Sequence, residues 1–396
     1  MAIYKELVKK ISVPADKKIK QKAYLDKGLL PIIDQGHLLI GGYTDDSTKA
    51  IVCDYPVIIF GDHTKCVKFI TFPFAPGADG IKVLQPKKEI LPKYLYYGTQ
   101  YLTFRIEDKG YARHYQHLEK KELSVPSLPE QERIVTRIEE LFSELDKAVE
   151  TLKTTKQQIA VYRQAVLKEA FEGRFTLHCS CDVELEWLSV EETHGLPAIP
   201  KEWRYIALSK LGDLGRGKSK HRPRNDPKLF EDGKYPFLQT SEVKAAKQYI
   251  TNYSKMYNEF GLQQSKLWSK GTLCITIAAN IAETAFLGID ACFPDSVVGF
   301  TAYENIIPKY IKYFIESQKL RLWAFAPATA QKNINLNTLE KLIVPYCSIQ
   351  EQKNVIAEIE SRMSTCDSIE QTVDTALQQA EAMHQSILKQ AFEGRL

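Results

Sequence analysis

Two stretches of the chain carry a hydrophobic pattern unlike the rest. From residue 130 onward, apolar or small residues recur at alternating steps of four and three: Ile134, Ile138, Leu141, Leu145, Ala148, Leu152, Thr155, Ile159, Tyr162 and Val166. A seam sustained over several heptads predicts a coiled-coil helix rather than a helix lying on a globular core. A second seam runs through Val355, Ile359, Cys366, Ile369, Val373, Ala376, Ala380, Met383 and Ile387, broken at Arg362, where Met363 stands ready as a substitute. Both stretches open after proline-containing segments, VPSLPEQ and VPYCSIQEQ, and both close at a glycine, Gly173 and Gly394. Those are helix start and stop signals. A helix over 130–173 would be roughly 66 Å long at ~1.5 Å per residue, longer than a small domain is wide.

The two stretches are copies. Residues 130–175 and 351–396 align without a gap at an offset of 221, with 18 identities in 46 positions and a shared AFEGR near the end. The segments before them echo one another too. LPKYLYY (91–97) resembles IPKYIKY (307–313), and GLLPIIDQG (28–36) resembles GKYPFLQTS (233–241). Around these echoes the chain is an apolar–polar mixture punctuated by Pro and Gly, the pattern of short strands and loops. The plan is therefore domain, helix, domain, helix, divided as 1–122, 123–175, 176–200, 201–341 and 342–396. The third segment, which reads as acidic, is a linker.

Composition narrows the class. With 44% hydrophobic and 26% charged residues the chain is ordinary globular protein. Its +4 net charge permits an acidic partner without demanding one, so local distribution has to decide. The eight cysteines lack the close framework of a secreted mini-protein and read as reduced thiols. His178, Cys179 and Cys181 form a lone cluster, too few for a structural zinc, so no metal is expected. The N-terminus MAIYKELVKKISVPADKK is not a secretory signal, and no apolar run is long enough to span a membrane. The expected location is the cytoplasm.

Residues 212–219, GDLGRGKS, match the pattern of a phosphate-binding loop in full. Such a loop needs a helix immediately after its Lys-Ser, whose free N–H groups face the phosphates. Here KHRPRNDPKLF follows, and Pro223 with Pro227 would fall inside that helix's first two turns. A P-loop NTPase built on Gly212–Ser219 is therefore the weaker reading. What remains is charge: 216–228 carries six cations against Asp226, and 9–27 carries seven lysines against Asp16 and Asp26. A single such run is usually a solvated face. One per duplicated domain suits a polyanion of repeating geometry. No HExxH, no GxSxG and no glycine-rich turn for S-adenosylmethionine is present, so no catalytic set emerges.

At this point the chain resembles the DNA-specificity subunit of type I restriction–modification systems. The residues that carry the resemblance are LSVPSLPEQERIV and LIVPYCSIQEQKNVI before the helices, and LKEAFEGRF and LKQAFEGRL at their ends. HYQHLEKKEL and QKNINLNTLEKL resemble ends of target-recognition domains, and GLPAIPKEW with GKYPFLQTSEV resembles an opening. The likeness covers essentially the whole chain. It implies an α+β fold: two globular target-recognition domains separated by two long conserved helices forming an antiparallel coiled coil, with an internal pseudo-twofold repeat. It implies a non-catalytic subunit that reads a bipartite, asymmetric site in double-stranded DNA. Such a subunit recruits two methyltransferase subunits and, for cleavage, restriction subunits, with S-adenosylmethionine, ATP and Mg2+ on those partners. The rival readings are an orphan specificity subunit and a coiled-coil scaffold with no DNA role.

The residues expected at DNA are Lys17, Lys18, His63, Thr64, Lys65, Arg113 and His114 in the first domain. In the second they are Arg216, Lys218, Lys220, Arg222, Arg224, Lys332, Asn333 and Asn335. If both domains touch one face of the duplex, the half-sites should lie about one turn, roughly 34 Å, apart. Two departures stand out. The first domain has no counterpart of IPKEW…LGDLGRGKS, so the two domains read different sequences. Aligned by Val-Pro, the segment leading into the first helix is two residues shorter than that of the second.

Overall fold

The computed structural model describes all residues except 79, 108, 109, 111, 176–186 and 326–332. His178, Cys179, Cys181, Lys332 and most of the linker lie outside the described residues. The chain forms two compact units, Met1–Thr155 with Thr372–Leu396, and Lys156–Gln371. Each takes part of both long helices, Leu128–Phe171 and Ile349–Phe392.

In the first unit the strands are β1 (Val8–Ile11), β2 (Leu30–Ile33), β3 (Gly42–Thr44), β4 (Val57–Gly61), β5 (Val67–Ile70), β6 (Ala75–Pro76) and β7 (Ile81–Pro86). They make an antiparallel sheet ordered β1-β7-β4-β5 and a smaller one ordered β3-β2-β6, in which β2 and β6 run parallel. Strand β4 reads VIIFG and is buried throughout. Its alternate residues serve two cores, as a period of two requires: Ile58 and Phe60 join Leu84 and Tyr94, while Val57 and Ile59 join Ile70 and Val83. Helices α1 (Pro92–Phe104) and α2 (Tyr115–Leu118) follow.

The second unit repeats this plan. Its strands are β8 (Gly212–Arg216), β9 (Tyr235–Phe237), β10 (Tyr249–Ile250), β11 (Lys255–Tyr257), β12 (Leu267–Trp268), β13 (Leu273–Thr276), β14 (Thr284–Leu287), β15 (Ala291–Cys292) and β16 (Val297–Ala302). The order β8-β16-β13-β14 matches β1-β7-β4-β5, with β10 added in parallel at the edge. The echo between GLLPIIDQG and GKYPFLQTS is structural as well. Both β2 and β9 are inner strands with one antiparallel and one parallel neighbour. Helices α3 (Pro308–Ser317) and α4 (Leu336–Glu340) correspond to α1 and α2.

The long helices run antiparallel, as expected. In the first unit Ile134, Ile138 and Leu145 pack with Ala380, Ile387, Leu388 and Ala391. In the second, Val166, Leu167 and Ala170 pack with Val355, Ile356 and Ile359. The Phe142 ring lies 4.4 Å from the His384 ring, Lys156 faces Glu370, and Arg163 faces Met363. A step forward along one helix is thus matched by an equal step back along the other. The pairing repeats itself at the offset of 221: Phe142–His384 with Asp146 becomes Met363–Arg163 with Asp367. Both helices end as their glycines require. Gly173 (φ +75°) and Gly394 (φ +73°) are left-handed, and the N–H of the following arginine reaches back to Glu169 O and Gln390 O.

Four seam positions depart from expectation. Ala148, Tyr162, Ile369 and Met383 are exposed, Tyr162 by 46% and Met383 by 52%. The inward residue is the next one each time: Val149, Arg163, Glu370 and His384. A straight helix turns every 3.6 residues, so a 3.5-residue seam drifts by about 20° per heptad and is carried off its face. At the break, Met363 does pack into the core, and Arg362 lies over the Phe175 ring. The remaining seam positions, Leu141, Leu152 and Val373 among them, are buried or half-buried.

One duplicated clamp fixes each small helix to a long one, and periodicity does not reveal it. The N–H of Leu91, capping α1, donates to Gln131 Oε1 at 2.9 Å, and that of Ile307, capping α3, donates to Gln352 Oε1 at 2.9 Å. The amide of each glutamine donates onward, to Pro126 O at 2.9 Å and to Cys347 O at 3.0 Å. Tyr94 and Tyr310 donate to Ser124 O and Pro345 O, and Lys93 and Lys309 pair with Glu139 and Glu360. Every long-helix partner keeps the offset of 221. The segment leading into the first helix is therefore not shorter than the second. The two Val-Pro pairs simply occupy different places in the same scaffold.

Candidate nucleic-acid interface

The fold brings four separate segments of each unit to one cleft, at equivalent places. In the first unit these are the end of β1 with the residues after it, the end of β4, the start of β7, and the segment before α2. The cleft is lined by Lys10, Ser12, Lys18, His63, Lys82 and Arg113 among others. In the second they are the end of β8 with the loop after it, the end of β13, the start of β16 and the segment before α4. Arg216, Arg224, Thr240, Ala279, Ser296 and Asn333 line that cleft. The backbone bonds that close the two match. His114 N–H donates to Asp62 O at 2.8 Å, and Ile334 N–H donates to Ile277 O at 2.9 Å.

Lys18, His63 and Arg113, expected at DNA, lie together in the first cleft. Lys17 is turned to Ala50 O, and the Thr64 hydroxyl donates to Gln35 O at 2.6 Å. Lys65 lines a different hollow, with Phe104, Phe142 and His384. His114 differs from expectation most plainly. It is 1% exposed, and its Nδ1 lies 3.0 Å from Asp62 O, so it supports the cleft floor instead of facing a ligand.

Asp62 is the organising group there. It accepts from Tyr115 N–H at 2.9 Å through one carboxylate oxygen and pairs with Lys82 at 3.1 Å through the other. Burial pushes its carboxyl up, but the Tyr115 N–H and the Lys82 ammonium together hold it below the usual carboxylate range. A depressed folded-state pKa contributes stability above the unfolded value of about 3.9, which is lost as pH falls through the folded value. Asp62→Asn is therefore expected to cost about 1–3 kcal/mol at pH 7. Melting curves of the variant and the parent should converge below about pH 4. A gap unchanged from pH 7 to pH 3 would contradict this account.

In the second unit GDLGRGKS is a strand and its exit, not a phosphate loop. Gly212–Arg216 is β8, paired antiparallel with β16, and the chain after Ser219 runs on irregularly to a 3-10 turn at Pro227–Leu229. Its glycines serve close packing. A Cβ at Gly215 would lie 2.8 Å from the Trp268 ring, and one at Gly217 would lie 2.3 Å from the carbonyls of Phe293 and Pro294. That approach sets Arg216 beside Asp295, whose carbonyl oxygen accepts from Arg216 Nε at 2.9 Å and Nη2 at 2.7 Å. Arg224 donates to both carboxylate oxygens of Asp295, at 2.9 and 3.1 Å. Lys218 and Lys220 are exposed beyond the cleft, and Arg222 folds back onto Ser219 O and His221 O. Asn333 lines the cleft, whereas Asn335 caps α4, accepting from Thr338 N–H at 2.8 Å.

Sequence reasoning missed Lys10, Lys82, Thr240, Asp295 and the Ala278–Ala279 turn, where Ala279 holds a φ of +63°. No short motif marks them. Among the described residues no group of three or more His, Cys, Asp or Glu is placed to hold a metal ion, and no helix is long and apolar enough to cross a membrane.

The chain's relatives bear on this cleft. The family profile described as the type I restriction modification DNA specificity domain matches residues 5–160 and 200–379. The specificity subunit of the type I restriction enzyme EcoBI from Escherichia coli is 27% identical over 69% of the chain, and that alignment spans 58% of the relative's own length. The EcoR124I/EcoR124II specificity subunit, also from Escherichia coli, is 22% identical over 91% of the chain and 86% of the relative. Among solved structures, the HsdS subunit from Thermoanaerobacter tengcongensis shares the fold, with a TM-score of 0.56 and 16% identity. It covers 100% of this chain and 96% of its own. A chain from a structure of type I R-M complex assembly and conformational transition does so with a TM-score of 0.68, at 15% identity and 100% and 97% coverage.

Proposed function

The chain belongs to the type I restriction–modification DNA specificity family, and on that premise we propose that it is the target-reading subunit of such a complex, binding a bipartite site in double-stranded DNA. One observation carries the reading: the same strand-end cleft occurs once per unit, at equivalent places, with different linings. The first is rich in lysine, the second in arginine, hydroxyl and amide groups. Lysine is a point charge suited to phosphate, while Arg and Asn match the bidentate edges of guanine and adenine. Two such clefts would read two unlike half-sites. Exposed Lys218 and Lys220 would add phosphate contacts that position the protein without specifying sequence.

In this proposal the chain itself catalyses nothing. Methyltransferase subunits bring S-adenosylmethionine, restriction subunits bring ATP and Mg2+, and the work is done where the chromosome is, in the cytoplasm. The test is methylome sequencing of cells carrying this gene with its neighbouring methyltransferase, and of the same cells with the gene deleted. A split motif that disappears on deletion is the expected result. An unchanged methylome, joined to no salt-dependent DNA binding by the assembled protein, would defeat the reading. The binding itself should weaken with salt in proportion to the phosphates engaged. Lys218→Ala and Lys220→Ala should each lower the slope of log affinity against log salt by about one.

A further inference from the structure

The acid in the second cleft calls for an explanation. Asp295 stands against a stretch, 216–228, with six cations and one other acid, on a surface proposed to meet a polyanion. Its carboxylate and that of a phosphate would repel each other. Stability does not account for its place either, since Asp295 and Arg224 are 41% and 50% exposed and an ion pair so open contributes little. What Asp295 does is orient. Its carboxylate receives one end of Arg224 through both oxygens, and its backbone carbonyl receives two donors of Arg216. Gly217, pressed on the carbonyls of Phe293 and Pro294, makes that approach possible.

An arginine whose fork is held in plane by a carboxylate has lost the rotamer freedom that otherwise opposes binding. Its remaining donors then suit the acceptor pair O6 and N7 that only guanine offers in the major groove. The first cleft differs. Its acid, Asp62, is buried beneath the lining and bound to Tyr115 N–H and Lys82, so it presents no arginine in this way. Resting on the DNA-reading role proposed above, we infer that the second unit's half-site contains a guanine read by Arg224, with Asp295 as the positioning residue that presents it.

The experiment selects bound duplexes from a random DNA library, using the full chain assembled with its methyltransferase subunits, and sequences them. The unaltered protein, Arg224→Ala, Asp295→Asn and Lys218→Ala are compared, with melting curves to show that each variant is folded. Preference for guanine at one position of one half-site should fall about 5- to 150-fold in Arg224→Ala. Asp295→Asn should relax the same position, and all other positions should be kept. Lys218→Ala should weaken every duplex alike and leave the motif intact. The inference is overturned if Arg224→Ala behaves like Lys218→Ala, lowering the salt slope with the motif unchanged, or if neither half-site contains a guanine. It is also overturned if Asp295→Asn leaves the preference at that guanine untouched, because the positioning role would then be absent. If the unaltered protein selects no sequence at all, the DNA-reading role fails, and this inference with it.

Discussion

Gln352→Ala is expected to destabilise the second unit by about 3–5 kcal/mol, because a buried backbone donor or acceptor left unpaired costs about 1–3 kcal/mol each. Gln352 is fully buried. It serves Ile307 N–H on one side and Cys347 O and Asn305 O on the other. Removing it strands all three where water is excluded and leaves a void besides. Gln352→Glu separates the hydrogen bonds from the packing. A carboxylate can still accept from Ile307 N–H but meets Cys347 O acceptor to acceptor, so it folds best protonated. Its folded-state pKa is raised, and its deficit should therefore shrink as pH falls towards about 4. Gln131→Ala should act in the same way on the first unit, through Leu91 N–H and Pro126 O. Hydrogen exchange of α3 and α1 is the direct measurement, since a chain of two units need not melt in one step. A loss below 1 kcal/mol at both sites would mean that the clamp is ornamental.

Phe392→Ala is expected to cost a comparable amount, about 3–5 kcal/mol, and to cost it in an unobvious place. Phe392 closes the second long helix, at the end of the chain, yet its ring stacks 5.3 Å from Tyr101 and lies 5.0 Å from Tyr94, both in the first unit. Phe171 closes the first long helix and packs on Tyr310 and Phe314 in the second unit. Protection against exchange should therefore fall around α1 in Phe392→Ala and around α3 in Phe171→Ala. The opposite pattern, each variant loosening the unit that precedes it in the chain, would overturn the exchanged pairing of helix ends. This explains in physical terms why AFEGR occurs twice. Each copy supplies the aromatic plug of one unit and the left-handed glycine that stops the helix behind it.

How far the molecule is legible in its sequence depends on the range of the interaction. The helices were readable because a coiled-coil seam, a proline-marked start and a terminal glycine are all local signals. Their limits showed where a polar residue entered the seam. Arg163 and His384 face inward only because Met363 and Phe142 lie opposite, which one helix cannot announce. GDLGRGKS was rightly separated from a phosphate loop by Pro223 and Pro227. The reason for its glycines waited on Trp268, Phe293 and Pro294, dozens of residues away. His114 looked like a contact residue, since a His beside an Arg in a polar segment usually is exposed. Only its backbone bond to Asp62 O reveals that it turns inward.

By itself the sequence determined the duplication, the two long helices with their ends, and the placing of a basic run in each half. These follow from periodicity, capping and composition, which act over a few turns of chain. Tertiary structure alone decided that each unit borrows the end of the other half's helix, that a glutamine clamps each small helix, and that the two clefts lie at matching strand ends. It also decided that Asp295 meets Arg216 and Arg224. The reason is common to all of them: each joins residues tens to hundreds of positions apart, which come together through strand pairing and burial rather than through any pattern along the chain.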